Sequence, residues 1–246
     1  MTWALFLPVA GLAALLQTPA HETARNELAA DAPVVVVDAG HGGRNAGAPG
    51  VDGVHEKQVT LAISKRLVGH LEARGVRCIL TREGDDYLTL RERTLIANEH
   101  QADLFLSIHA NASGTGASRG YEAHVLSIKG TRIDTPALRR NDGAPRLGVE
   151  SDIASVLDSV EHGLAQDRAA DLAAEVVQRL RKVRGIERSR GVRQDSHHVL
   201  LGATMPAVLI EVGFLDHPIE GRELATVSVQ DAIADAIADA AVRTLR

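Results

Sequence analysis

One cysteine, Cys78, stands in the 246-residue chain. That count excludes an internal disulfide and any closed metal site built from several thiolates. Cys78 lies in the apolar run Val76–Leu80, so a buried, structural thiol is expected. Aromatic side chains are scarce, with one Trp, two Tyr and three Phe, which rules out a large sugar-stacking surface. No block of Lys or Arg and no basic stripe interleaved with aromatics occurs, and the formal net charge is −5 with both signs mixed along the chain. A nucleic-acid footprint is therefore missing. The longest apolar run, residues 3–16, is shorter than the roughly 20 residues that a membrane-spanning helix needs. It has the length of a secretory h-region, and Thr18-Pro19-Ala20 offers small residues for cleavage. Only the α-amino group is positive ahead of it, so an uncleaved anchor or a core helix is the alternative. Residues 1–20 are read as a signal peptide and the polar, Ala-rich 21–32 as a linker. The expected location is the periplasm or the cell-wall-associated exterior.

The rest of the chain is rich enough for one sizeable α/β domain: 45% of residues are hydrophobic and 24% charged. Residues 33–246 are assigned to it. Strand-like runs fall at Val34–Val37, Val76–Thr81, Asp103–Ile108, Tyr121–Leu126, Val199–Leu201 and Ala207–Glu211. Helical patterning falls at Glu56–Arg74, Leu88–His100, Asp152–His162 (closed by Gly163), Asp167–Val183 and from Ser228 to the end. In the first helix Val59, Ile63, Leu67 and Leu71 recur every four residues, the spacing of one buried face. Alternating strands and helices predict a mostly parallel or mixed twisted sheet with helices on both faces. Ligand sites in such sheets form beyond the carboxyl ends of strands.

Four residues occupy such positions inside distinctive strings. They are His41 in Val-Val-Asp-Ala-Gly-His-Gly-Gly (36–43), Glu56 in Val-His-Glu-Lys (54–57), His109 in Leu-Ser-Ile-His-Ala-Asn (106–111) and Glu211 in Ala-Val-Leu-Ile-Glu-Val-Gly-Phe (207–214). Two imidazoles and a carboxylate make a three-donor set for one Zn2+, and catalytic zinc keeps a further position open. A second carboxylate beside that position suits proton transfer to a poor leaving group such as an amide nitrogen. Glu211 is the candidate, because an ionisable residue ending Val208-Leu-Ile is hard to explain by packing. Each residue has a plainer reading too. A histidine after a strand is often a hydrogen-bonded loop residue, Glu56 suits the positive end of a helix dipole, and Glu211 could pair with Arg82 or Arg93. The separate strings are weak or moderate signals, and their co-occurrence is the strong one.

Together these strings resemble the zinc-dependent N-acetylmuramoyl-L-alanine amidases of the amidase 3 type. The family pattern Asp-Pro-Gly-His-Gly-Gly, Glu-Lys, Ser-Ile-His-Ala-Asn and Val-Glu-Xaa-Gly-Phe-Xaa-Xaa-Asn-Pro stands here as Asp38–Gly43, Glu56-Lys57, Ser107–Asn111 and Ile210–Pro218. Thr81-Arg82, Leu88–Arg93 and Ala97-Asn98 also resemble family segments, and the similarity covers about residues 34–126 and 164–224. The resemblance implies zinc on His41, Glu56 and His109, a catalytic Glu211, and cleavage of the amide between the lactyl group of N-acetylmuramic acid and L-alanine in peptidoglycan. Two departures stand out: Ala39 replaces the proline, and Asp216-His217 replaces a Ser-Asn-like pair near the substrate side. Asn111 is read as a residue that orients ligands or substrate. His55, His124, His197 and His198 are assigned to no ligand set at this zinc.

Residues 127–163 form a variable insertion without clean periodicity. Some relatives carry an inhibitory helix here that a partner removes, and Glu150, Asp152 and Glu161 would be the blocking carboxylates, with an activator protein acting on this segment. A solvated loop with a short packed helix is the plainer expectation. Two rival functions stay open at this point: a zinc peptidase or amidase acting on another amide, and a catalytically silent wall-binding module.

Overall fold

Strand β1, Val34–Ala39, is buried along all six residues. Its four consecutive valines face two different layers of side chains, as a central strand covered on both faces requires. Val35 and Val37 join one hydrophobic cluster, while Val34 and Val36 join another on the opposite face. The computed structural model from which this follows describes residues 31–126 and 151–246, with side chains from residue 163 onward in the second stretch. The segments read as signal peptide and as linker up to residue 30, and the stretch 127–150 of the insertion, lie outside the described residues. Pro33–Arg246 forms one compact unit.

Six strands build one mixed sheet in the order β2-β1-β3-β6-β4-β5. They are β1, β2 (Arg77–Leu80), β3 (Leu104–Asn111), β4 (Tyr121–Leu126), β5 (Ser189–Asp195) and β6 (Ala207–Phe214). β1 runs parallel to β2 and β3, and β3 parallel to β6. β4 enters antiparallel to β6 and carries β5 parallel to itself. Helices α1 (Glu56–Glu72), α2 (Leu90–Glu99), α3 (Ser151–Arg184), α4 (Glu220–Leu224) and α5 (Val227–Thr244) complete the domain.

The four-residue repeat of α1 is the stripe that meets the sheet: Val59, Ile63, Leu67 and Leu71 are all buried. Each contributes about 1.5–3 kcal/mol on leaving water, and cutting one such leucine to alanine costs about 2–5 kcal/mol. Leu172, Val176 and Leu180 of α3 and Ile233 and Ile237 of α5 share that layer. The opposite layer contains Ala97 of α2, Phe105, Leu209 and Met205. Thr89 caps α2: its Oγ1 accepts from Glu92 N at 3.3 Å, and Glu92 Oε2 accepts from Thr89 N at 2.7 Å.

Three expectations need correcting. Asp152–His162 and Asp167–Val183 are parts of one helix, α3, which runs through Gly163 without ending there. An internal glycine costs only about 1 kcal/mol relative to alanine, and the helix-forming residues around it outweigh that. Val199–Leu201 does not form a strand: His198–Leu200 is a 3-10 turn whose Val199 and Leu200 plug the second core layer. β5 escaped the sequence reading because it is a largely exposed edge strand of polar residues, Ser-Arg-Gly-Val-Arg-Gln-Asp, and a polar edge strand carries no inward-outward alternation.

Candidate active site

The carboxyl ends of β1, β3 and β6 and the first turn of α1 converge at one edge of the sheet. The chain leaves β1 through Gly40 into His41, which adopts a left-handed backbone (φ 62). This turn is held from below. Asp38, fully buried, accepts at Oδ1 from Thr81 Oγ1 (2.6 Å) and Arg93 NH1 (2.7 Å), and at Oδ2 from Ser107 Oγ (2.6 Å). Arg82 donates from Nε to the Ala39 carbonyl (2.8 Å) and from NH2 to the Gly40 carbonyl (2.9 Å). Arg93 donates to the carbonyls of Ala39 (2.8 Å) and His41 (2.7 Å). Both guanidiniums thus grip the turn carrying His41, and neither pairs with Glu211.

Glu56 is the first residue of α1 and is buried. Its Oε2 accepts from Ala48 N (2.8 Å) and lies 2.9 Å from His41 Nε2. Its Oε1 accepts from Ala110 N (3.0 Å) and lies 3.0 Å from His109 Nδ1. Burial opposes its ionisation, but the hydrogen bonds and charges of His109 and His41 outweigh burial and hold the carboxyl far below the usual carboxylate range. The His41 and His109 rings meet edge to face at 4.9 Å between centroids. One donor atom from each of His41, Glu56 and His109 falls within 4.8 Å of the other two, a spacing compatible with a shared metal ion. His41 Nδ1 faces Asn45 Oδ1 at 3.0 Å. An imidazole donating through Nδ1 offers its Nε2 lone pair to a metal, the usual outer support of a ligating histidine.

Glycine makes room for these donors. A Cβ on Gly40 would stand 2.5 Å from the His109 ring, and one on Gly47 would stand 2.6 Å from Glu56 Oε2. At these two positions the space a side chain would fill is taken by the donor side chains themselves.

Glu211 stands opposite His109 in the β3–β6 register. Its Oε2 is buried and has no hydrogen-bond partner. Burial first, then the negative charges of Glu56 and Glu122, push its carboxyl up to about 8. A buried carboxyl oxygen without a partner is costly, and a cation or a water beside it would satisfy it.

Comparisons with known proteins identify the family. Residues 35–243 match the family model described as N-acetylmuramoyl-L-alanine amidase, Amidase_3. The chain belongs to this family. N-acetylmuramoyl-L-alanine amidase AmiA of Escherichia coli is 33% identical over 219 residues, which cover 85% of this chain and 75% of that protein. Among solved structures, an N-acetylmuramoyl-L-alanine amidase from Clostridium difficile 630 superposes with a TM-score of 0.69 at 27% identity, covering 87% of this chain and 97% of the other. AmiC2 of Nostoc punctiforme gives 0.65 at 29% identity, covering 87% and 97%. Family membership makes the chain an amidase of peptidoglycan.

Within this amidase the residues singled out from sequence separate by role. His41, Glu56 and His109 come together, and Glu211 borders them. Asn111 donates from Nδ2 to Glu122 Oε1 (3.3 Å) and accepts at Oδ1 from Ala112 N (2.9 Å). A register shift between His109 and Asn111 turns the end of β3 at this point, a common device for re-aiming side chains at a site. His55 caps α1. Asp216 and His217 brace loops: Asp216 Oδ2 accepts from Ser113 N (3.0 Å), Ser113 Oγ (2.8 Å) and Gly116 N (3.0 Å), and His217 Nδ1 accepts from Glu220 N (3.1 Å).

Glu122 was missed. It is buried in β4 directly across from Glu211. The neighbouring His124 imidazole, opposed by burial and aided by Arg190, holds its carboxyl down at about 2. The signal was available, since a carboxylate inside Tyr-Glu-Ala-His-Val-Leu is as anomalous as Glu211 inside its own apolar run. The carboxylates proposed to block the site, Glu150, Asp152 and Glu161, lie outside the residues whose side chains are described.

Proposed function

We propose that residues 33–246 form the catalytic domain of an exported, zinc-dependent N-acetylmuramoyl-L-alanine amidase, with one Zn2+ held by His41, Glu56 and His109. The donor chemistry fits zinc: two neutral imidazole nitrogens and one carboxylate oxygen, with fewer protein donors than a closed structural site uses. The glycine cradle and the unpartnered Glu211 Oε2 support the same assignment. Zinc, when bound there, supplies Lewis acidity to a carbonyl and acidity to a water.

The chain's own groups do the rest. Glu211 accepts a proton from the water that attacks the lactyl carbonyl, and returns it to the departing L-alanine nitrogen. A carboxylate that takes the proton and later returns it serves as both base and acid of the reaction. The carboxylate of Glu56 stays ionised and balances positive charge among the donors. Asn111 positions the Glu122 carboxylate beside Glu211 and contributes to orienting substrate.

The observation that carries this reading is the buried, unpartnered Glu211 carboxylate bordering a His-Glu-His donor cluster. The test is mass spectrometry of purified peptidoglycan digested with and without a chelator. The expected products are stem peptides with a free L-alanine terminus and intact glycan strands, formed only without chelator. Cleavage within the peptide would favour the rival peptidase, and no release at all the wall-binding module.

The segment 1–20 serves export on this reading, and 127–163 is the place where an activator protein would act. One similar solved structure is the CwlD amidase of Clostridioides difficile in complex with the GerS lipoprotein, with a TM-score of 0.68 at 25% identity. Deletion of 130–162 should raise activity on purified sacculi if the segment inhibits. An unchanged rate in a folded deletion variant would remove that regulatory role.

A further inference from the structure

A second group of metal-competent side chains lies outside the His41–Glu56–His109 cluster. Among the described residues only these two groups place three such donors together. The second consists of His124 in the middle of β4, Asp195 at the end of β5 and His197 just beyond it. His124 Nδ1 lies 3.0 Å from Asp195 Oδ2 and 3.0 Å from His197 Nε2, and His197 Nε2 lies 3.9 Å from Asp195 Oδ2. The two rings meet edge to face, 4.4 Å apart with an 83° interplanar angle.

Protons satisfy this arrangement poorly. A proton on His124 Nδ1 serves Asp195 but then confronts His197 Nε2, which must present a lone pair rather than its own hydrogen. Three donor atoms therefore crowd around one or two hydrogens. A cation at their centre would use all three lone pairs at once. A tetrahedral zinc ion with bonds of about 2.0–2.1 Å holds its donors about 3.3–3.4 Å apart; the observed triangle brackets that edge.

The surroundings also match a metal site. The other nitrogen of His124, Nε2, faces Glu122 Oε1 at 3.7 Å. A ligating imidazole backed by a carboxylate on its far nitrogen is a recurrent support in metalloproteins. The His124 side chain is 9% exposed, whereas His197 is 34% and Asp195 55% exposed. The cluster thus has a buried anchor and a solvent-facing side, with room for a non-protein donor.

We propose that His124, Asp195 and His197 form a second binding site for a divalent transition-metal ion of the zinc type, with one coordination position open to water. The site is independent of the catalytic assignment. It lies on the strand that carries Glu122, two residues from it, and so adjoins the Glu122–Glu211 pair without containing either residue.

The test is zinc stoichiometry. The full chain is stripped with chelator, titrated with Zn2+ against a chromophoric competitor, and compared with His197→Ala, Asp195→Asn, His41→Ala and the His41→Ala/His197→Ala double variant. Two ions are expected in the wild type, one in His197→Ala, one in His41→Ala and none in the double variant. Asp195→Asn preserves shape and should weaken one of the two binding steps at least 10-fold. It also carries the test should His197→Ala fail to fold. A wild-type stoichiometry of one that His197→Ala leaves at one, with His41→Ala at zero, overturns the second site and leaves the catalytic reading standing. Loss of an ion in His197→Ala with none lost in His41→Ala overturns the catalytic assignment instead.

Discussion

Glu211 faces His109 across the parallel pair β3–β6, so the proposed base and one proposed metal ligand are fixed to each other by strand register rather than by a loop. Their relative position is as rigid as the sheet. If Glu211 moves the proton, Glu211→Gln keeps the shape and the zinc but loses turnover by about 100- to 10,000-fold. Zinc content and rate on dye-labelled sacculi, measured on one preparation, check this. A near-wild-type rate would defeat the assignment.

The same carboxylate gives a pH signature in chelated protein. Its folded pKa of about 8 lies above its ordinary 4.5. The folded state therefore binds this proton more tightly than the unfolded state. The resulting stability is complete below about pH 4.5 and is lost as pH rises towards 8, at up to about 1.4 kcal/mol per pH unit. Urea unfolding of metal-free wild type between pH 5 and 8 should show this falling component. Glu211→Gln should lack it, and equal slopes in the two proteins would contradict the expectation.

His41→Ala removes a donor and should abolish zinc binding at the His41–Glu56–His109 cluster and activity together, leaving only the ion of the second site. Asn45→Ala acts one step further out. Without Asn45 Oδ1 to receive Nδ1–H, the ring loses orientation, and zinc affinity should drop about 10- to 100-fold. Titration with a competing chelator separates the two variants.

Gly40→Ala places a methyl against the His109 ring, 2.5 Å from its nearest atoms. The ring must shift, at a cost of about 1–3 kcal/mol for overpacking, and His109 leaves its place opposite Glu56. Thermal melts and zinc content should both fall. A variant with normal zinc content would show that the ring has slack.

Cys78, expected to be buried, is half-buried against the core edge, and it tests burial rather than catalysis. Burial, with a smaller contribution from the Glu72 charge, pushes its thiol up to about 12. At pH 8 the native protein should react with a thiol-labelling disulfide far more slowly than the urea-unfolded chain, because the thiolate is the nucleophile. Equal rates would place the thiol in solvent.

The convergence of His41, Glu56 and His109 was legible from sequence because each lies where a strand ends or a helix opens, and such positions collect at one edge of an α/β sheet. The β-branched run of β1 and the four-residue stripe of α1 announced themselves for the same reason: a buried face repeats. β5 carries little such signal, since an edge strand of arginines and polar residues has one side in water. His124 and His197 could not be paired by reading along the chain. They are 73 residues apart, and their meeting depends on β5, which the pattern did not reveal. Arg82 and Arg93, the plainer partners that charge offered Glu211, are engaged elsewhere: both donate to backbone carbonyls of the turn carrying His41, and Arg93 also pairs with Asp38.

Glu56 and His109 are 53 residues apart in sequence, yet they meet at 3.0 Å. An ion gripped by both, and by His41, would clip three distant stretches of chain in the way a cross-link does, and closing long loops removes freedom from the unfolded ensemble. A protein with a solitary thiol would then owe part of its resistance to unfolding to the availability of metal in its surroundings.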